Sequence, residues 1–169
     1  DWGNQNSRIT GNVLHDITTV QGALYVEASP IANMVDHNFL WNINGQGVRL
    51  ADTDNAIVAH NLFVNVSEEL VAAKVATDRS LNGRKLTSTG NQILNNIAVD
   101  QGKPILFGEP GNVADYNVYV STKAGEPAGK DSGAHSVAIF GDITFDLDRL
   151  LLTWKSSAPL PTAPLVKNC

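Results

Sequence analysis

The sequence has a single cysteine, Cys169, which excludes a disulfide within the chain and leaves the redox compartment undecided. It has no apolar run of the roughly 20 residues that a membrane-spanning helix needs, so we expect no membrane partner. Basic residues are also few, with 12 Lys and Arg against 17 Asp and Glu and a net charge of -5. Without a basic stripe to neutralise phosphates, we expect no nucleic acid partner.

The composition is that of a globular protein. Of the 169 residues, 43% are hydrophobic and 17% are charged, which suits one domain with a real core. The sequence starts at Asp1-Trp2 without a methionine or a polar leader. We therefore expect the chain to be the C-terminal part of a longer protein.

Asparagines recur in similar surroundings along the chain. The segments are RITGNVL, MVDHNFL, IVAHNLF, QILNNIA and VADYNVY, each with apolar or small residues on both sides of the asparagine. The recurring residues are Asn12, Asn38, Asn61, Asn96 and Asn117, whose successive separations in sequence are 26, 23, 35 and 21. The longest interval contains a polar insertion at about 67–86, where we expect a short helix.

This repeat predicts an all-β protein, a right-handed parallel β-helix. Short β-rich runs joined by Gly, Asn, Asp and Thr turns fit strands rather than helices. A repeat of this length is typical of a solenoid, with one asparagine per coil satisfying backbone groups inside the same turn. We expect coils over residues 1–121, and over 122–169 a loop and a C-terminal segment that caps the solenoid.

Two carboxylates occupy equivalent positions in the repeat. Glu27 precedes Asn38 by the same number of positions as Asp1 precedes Asn12. Stacked strands are about 4.8 Å apart, so the two carboxyl groups would lie roughly 5 Å from each other. Retaining glycosidases place their two carboxyl groups about 5–5.5 Å apart, one as nucleophile and one as acid/base.

Alternation along the run LYVEA points Glu27 away from the core. Leu24 and Val26 would face inward, and Tyr25 and Glu27 outward. Trp2 and Tyr25 would then offer a stacking surface for a sugar ring. The alternative interpretation is that Glu27 is an ordinary solvated residue and Asp1 an irregular terminus.

Arg49 is a candidate for substrate binding. Inward-facing Val48 and Leu50 would leave Arg49 pointing outward at the level of Glu27 on the next coil. There it would contact substrate or influence a carboxylate, unless it is an ordinary surface arginine. No other cation is predicted near Glu27.

Two further groups suggest ligands only weakly. In ADTDN, Asp52 and Asp54 alternate in a way that suits calcium, but such pairs are also common in β-turns. His37 and His60 precede successive repeat asparagines, so we expect their rings to stack at a corner. Without a third ligand at matching spacing, this stack is interpreted as structural rather than as a zinc site.

The segment DWGNQNSRITGNVLHDI, followed by LYVEAS, MVDHNFLWN and IVAHNLFVN, resembles the right-handed parallel β-helix glycoside hydrolases. The resemblance is strongest to β-xylosidases of glycoside hydrolase family 120 and their uncharacterised relatives. It covers roughly residues 1–121, most specifically 1–65, and departs at Ala28-Ser29-Pro30 and at GVRLADTDN. It implies that Asp1 is the nucleophile and Glu27 the general acid/base, and that N-terminal coils and an inserted domain of the family are absent.

These features lead to a retaining glycoside hydrolase that acts on plant polysaccharide fragments, most simply xylosidic ones. The expected partner is an oligosaccharide or polysaccharide, with no required cofactor and calcium as a candidate. The alternatives are a polysaccharide lyase, which the scarcity of cations near Glu27 disfavours, and a non-catalytic carbohydrate-binding or structural solenoid. An exposed coil edge would favour self-association or a companion N-terminal segment.

Overall fold

The computed structural model describes residues 3–123, 125–146, 148–149 and 151–156. Within them the protein is all-β, with eighteen strands, and no helix is long and apolar enough to cross a membrane. Sheet A contains β1 (Arg8–Thr10), β4 (Met34–Asp36), β7 (Ile57–Ala59), β12 (Gln92–Leu94) and β15 (Val113–Asp115). Sheet B contains β2 (Val13–Thr18), β5 (Phe39–Asn44), β8 (Leu62–Val66), β13 (Ile97–Val99), β16 (Val118–Ser121), β17 (Val137–Asp146) and β18 (Leu151–Ser156). Sheet C contains β3 (Leu24–Ser29), β6 (Val48–Thr53), β9 (Glu69–Lys74) and β14 (Lys103–Phe107), and a separate hairpin contains β10 (Ser80–Leu81) and β11 (Arg84–Lys85).

The chain passes through sheets A, B and C in a fixed rotation, and each strand pairs in parallel with its equivalents one repeat away. The prediction of an all-β protein with parallel sheets is therefore confirmed. The register in sheet A repeats the asparagine intervals in the same order, with the pairs Arg8–Met34, Met34–Ile57, Ile57–Gln92 and Gln92–Val113.

Side chains from the inner faces of all three sheets form one core. Its fully buried members include Phe63 and Tyr119 from sheet B, Leu50 from sheet C and Ile93 from sheet A. Equivalent residues of successive repeats lie in register, so the core consists of stacked rows of apolar side chains. The alternation predicted for LYVEA agrees with this packing. Val26 is buried in the core, whereas Glu27 is only partly buried.

The short helix expected within 67–86 is wrong. Its first part is β9, which pairs in parallel with both β6 and β14 and buries Leu70, Val71, Ala72 and Ala73. Leu, Ala, Glu and Lys favour helices, but pairing with two strands and burial of the apolar run outweigh that preference. The extra residues follow β9 and include the β10–β11 hairpin, whose turn has positive φ at Asn82 and Gly83, as two-residue hairpin turns require.

The last described strands extend sheet B. β17 is parallel to β16, and β18 returns antiparallel to β17. Trp154 of β18 packs against a second apolar cluster that includes Val99, Val118 and Val120. Cys169 and the proline-rich tail lie outside the described residues.

Candidate functional site

The five repeat asparagines form a continuous row of hydrogen bonds. The Nδ2 group of each donates to Oδ1 of the next over 2.9–3.0 Å, and in each pair that oxygen also accepts the backbone amide of the earlier asparagine. The residue before each asparagine has positive φ, as at His37 (53°) and His60 (57°). The row, which we call the first asparagine ladder, therefore satisfies the polar backbone of the tight bend between sheets A and B.

A second ladder, absent from the predictions, lies at the bend between sheets C and A. Its members are Asn33, Asn91 and Asn112, with Ala56 at the position between the first two. Oδ1 of Asn91 accepts the Ala56 amide at 2.9 Å. The spacings between these positions equal the last three intervals of the first ladder, in the same order. That coincidence was the available signal, and the alanine at position 56 hid it.

Glu27 lies on the outer face of sheet C, in register with Ala51 of β6. Its side chain is 19% exposed, and its Oε1 accepts a hydrogen bond from Nη2 of Arg79 at 2.5 Å. The same nitrogen donates to Oδ2 of Asp52 at 2.6 Å. One guanidinium thus joins a partly exposed carboxylate to a fully buried one, and the two carboxylate oxygens lie within about 5 Å of each other.

Asp52 fixes the position of Arg79. Burial raises the pKa of the Asp52 carboxyl, but hydrogen bonds from Arg79 and from the Ala76 and Thr77 amides lower it by more, so the pKa lies below its ordinary value. In return, the hydrogen bonds to Asp52 and Glu27 raise the pKa of the Arg79 guanidinium. Sequence reasoning missed Arg79 because it lies 52 residues after Glu27 in the segment following β9.

Tyr25 is beside Glu27 on the same outer face. Burial raises the pKa of its hydroxyl, and the neighbouring Glu27 carboxylate raises it further. The predicted aromatic partner Trp2 and the predicted nucleophile Asp1 lie outside the described residues. The first described residue, Gly3, donates its amide to the carbonyl of Ala28 at 3.0 Å, so the described chain begins next to the strand that carries Glu27.

Arg49 is in register with Tyr25, so its predicted position level with Glu27 is wrong by two residues. The reason is a difference in turn length. Thr18 pairs with Asn44 at the end of sheet B, and Leu24 pairs with Val48 at the start of sheet C. The connection from Thr18 to Leu24 is six residues, whereas the connection from Asn44 to Val48 is only four. The predicted scarcity of cations near Glu27 is wrong as well, because Arg79 contacts it and Lys74 occupies its row on sheet C.

The two aspartates proposed for calcium are occupied by protein donors. Asp54 accepts hydrogen bonds from Arg84 at 2.9 Å, from the Thr87 hydroxyl at 2.7 Å and from the Thr89 amide at 3.0 Å. Asp52 is taken up by Arg79 as described. Across the described residues, no group of three or more His, Cys, Asp or Glu is arranged to hold a metal ion.

His37 and His60 stack as predicted, with ring centroids 5.2 Å apart. Nδ1 of His37 also lies 2.6 Å from Oδ2 of Asp36, which is fully buried and ion-paired with Arg8. Hydrogen bonds from Arg8 and His37, opposed by burial, lower the pKa of Asp36 from 3.8 to about 2. The histidine stack therefore belongs to a structural ion-pair cluster.

The lowered pKa of Asp36 predicts that the free energy of unfolding decreases at low pH. Because its pKa is lower in the folded than in the unfolded protein, the stabilisation is complete above pH 3.8 and is lost as the pH falls through about 2. We expect a loss of about 1–2 kcal/mol, since the half-exposed Arg8 partner reduces the effect. Urea denaturation through this pH range measures it, with Asp36→Asn as the comparison. An equally steep acid limb in Asp36→Asn would contradict the assignment.

A groove elsewhere on the molecule shares no lining residue with the Glu27 site. It has a volume of about 420 Å³ and lies beside β17 and β18, where Asp100, Asp142 and Lys155 are among its lining residues. No arginine is among its lining residues, whereas Arg79 bridges two carboxylates at Glu27. The outer face of sheet C is therefore the candidate site.

Comparison with known proteins leaves the family open. No protein-family model matches the sequence, and no curated protein or solved structure is significantly similar to it.

Proposed function

We propose that the chain forms a right-handed parallel β-helix and acts as a retaining glycoside hydrolase on xylosidic oligosaccharides. The helix is inferred from the rotation of the chain through three parallel sheets. Parallel strands joined by a crossover are right-handed in about 98% of cases, which supports the handedness. The hydrolase is inferred from the carboxylates of the first two repeats.

The observation that carries the proposal is that residues paired between the first two repeats are always separated by the same number of positions in the sequence. This number, the offset, equals the separation of Asn12 and Asn38. It holds for every pair between β1 and β4 and between β2 and β5, from Arg8–Met34 to Thr18–Asn44. The hydrogen bond from Gly3 to Ala28 is the parallel-sheet bond expected if Gly3 is level with Ser29, at the same offset. Asp1 precedes Gly3 by two positions, and the same offset applied to Asp1 gives Glu27. The proposal therefore pairs these carboxylates roughly 5 Å apart on neighbouring strands.

The proposed mechanism follows the resemblance. Asp1 attacks the anomeric carbon while Glu27 donates a proton to the leaving oxygen, giving a covalent glycosyl-enzyme. Glu27, now ionised, then takes a proton from water, which attacks the anomeric carbon and releases the sugar and Asp1. The ion pair with Arg79 matches the ionised state that Glu27 has in the second step. Tyr25 would form part of the surface under the sugar.

The test is release of nitrophenol from 4-nitrophenyl β-D-xyloside by the full chain, with the anomer of the released xylose followed by proton NMR. Retention of configuration at first release is expected. Release with inversion would reject the pairing of Asp1 and Glu27, since inverting enzymes need a wider gap for water. No release from any of a panel of aryl glycosides would reject the hydrolase.

A polysaccharide lyase is the second candidate because Arg79 contacts Glu27 and both Arg49 and Lys74 lie on the same sheet. Lyases that abstract a proton next to a uronate carboxylate use such cations. A lyase would produce an unsaturated product from polyuronate, visible as ultraviolet absorbance, without releasing nitrophenol from the neutral xyloside. The hydrolase is preferred because the offset would place two carboxylates, those of Asp1 and Glu27, at one site.

A further inference from the structure

The outer face of sheet C carries two cations that the proposed mechanism does not use. Lys74 follows Glu27 and Ala51 in one row across β3, β6 and β9. Arg49 lies in the neighbouring row, between Tyr25 and Ala72. Arg49 and Lys74, which we call the cation pair, are one strand apart and two residues along, so their Cα atoms are about 8 Å apart.

The cation pair is not neutralised within the described part of the chain. Arg79 has Glu27 and Asp52 as partners, and Lys103 on β14 has Glu69 at 3.4 Å. Arg49 and Lys74, by contrast, have no carboxylate within ion-pair distance among the residues that the structure describes. Both side chains are partly exposed. The face therefore presents positive charge beside Glu27 although the protein as a whole is acidic.

Arg49 is held in place but is incompletely hydrogen bonded. Its Nη1 donates to Oε1 of Gln46 at 3.3 Å, and Gln46 is itself held by Glu69 at 2.9 Å. The Nε group of Arg49 is buried and has no acceptor among the described residues. A buried donor without an acceptor costs free energy. A ligand cannot reach the buried Nε, but Nη2 of Arg49 is not buried and has no acceptor among the described residues, so the outer part of the guanidinium can donate to a ligand carboxylate.

We propose that the cation pair binds the carboxylate of a uronosyl unit, so that the preferred substrate is an acidic rather than a neutral oligosaccharide. This inference rests on the proposed function for the position of the sugar chain, which would run over Tyr25 and Glu27. The uronosyl unit would lie between the partly exposed side chains of Arg49 and Lys74. Arg49 would hold the carboxylate in two hydrogen bonds, and Lys74 would add charge.

The test compares two ligands that differ only in charge. Xylotriose with one glucuronate branch and the methyl ester of the same compound are titrated calorimetrically into the Glu27→Gln variant of the full chain, which prevents turnover. We expect the acid to bind about tenfold more tightly than the ester. Arg49→Gln and Lys74→Gln should each reduce this ratio about threefold, the double variant should bring it close to one, and added salt should weaken it.

Lys123→Gln is the matched control, because it removes one positive charge from an exposed residue paired with Glu126 in the loop after β16. It should leave the ratio unchanged, and thermal melting should show that all variants are folded. Equal affinity for acid and ester, a ratio that survives the double substitution, or no binding of either ligand would overturn the inference.

The outcomes also separate this inference from the proposed function. Preference for the acid, lost in the double variant, together with no release from any aryl glycoside would reject the hydrolase and leave the acidic-sugar site standing. Turnover of neutral xylosides combined with equal affinity for acid and ester would keep the hydrolase and reject the cation pair as a uronate site.

Discussion

Glu27→Gln is expected to lower kcat for an unactivated xyloside about a thousandfold, the typical contribution of a positioned acid/base. The amide has nearly the same shape, and its oxygen can still accept the hydrogen bond from Arg79 that Glu27 accepts at 2.5 Å. It can neither donate a catalytic proton nor remove one from water. Steady-state release of xylose from xylobiose measures the effect.

An activated leaving group separates a catalytic from a structural role of Glu27. Dinitrophenolate leaves a dinitrophenyl xyloside without needing a proton. Formation of the glycosyl-enzyme from this substrate should therefore be nearly unaffected in Glu27→Gln, while its hydrolysis by water stays slow. A rapid burst of dinitrophenol followed by slow turnover is expected. Glu68→Gln, on an exposed residue just before β9, is the control and should behave as wild type. Equal loss on both substrates, without a burst, would count against the acid/base role.

Asn61→Ala, in the buried part of the first asparagine ladder, should destabilise the protein by about 3–5 kcal/mol. Oδ1 of Asn61 accepts two hydrogen bonds from Asn38, and its Nδ2 donates to the carbonyls of Val35 and Ala59 and to Asn96. Asn61 is buried, so truncation leaves several groups without partners and water. Each such group costs about 1–3 kcal/mol. Urea denaturation of the wild type and the variant measures the difference.

Asn12→Ala is the control for this prediction. Asn12 lies at the exposed end of the same ladder, where water can replace the missing amide. Its truncation should cost about 1 kcal/mol or less. If both variants were destabilised equally, the ladder would owe its effect to local backbone preference rather than to burial of its hydrogen bonds.

The sequence predicted those parts of the structure that repeat at regular intervals. Asn38 and Asn61 are recognisable because their apolar neighbours recur with them, and they indicate both the sheets and the bend. The second ladder escaped notice because Ala56 interrupts it after one member. β9 was mistaken for a helix because its residue types favour helices, whereas its strand form depends on partners far along the chain.

The composition of the candidate site was predictable only in part. Glu27 stands out as an acid in an apolar run, and alternation correctly points it outward. Arg79 could not be found this way, since its contact with Glu27 depends on the path of the segment after β9. Arg49 was misplaced for a related reason. Its level on the sheet depends on a turn two residues shorter than its counterpart, and such differences are not visible until strands are paired.

The first asparagine ladder has a direction. Every Nδ2 group points toward the later repeats and every Oδ1 toward the earlier ones, so the amide dipoles of the row add head to tail, much as peptide dipoles do along a helix. The positive end of this array lies at Asn117, whose Nδ2 donates to the buried carboxylate of Asp131 at 2.9 Å. Asp131 also accepts from the buried Tyr119 hydroxyl at 2.6 Å. A negative counter-charge thus stands where the aligned amides leave partial positive charge, and it gives the stack an electrical polarity from one end to the other.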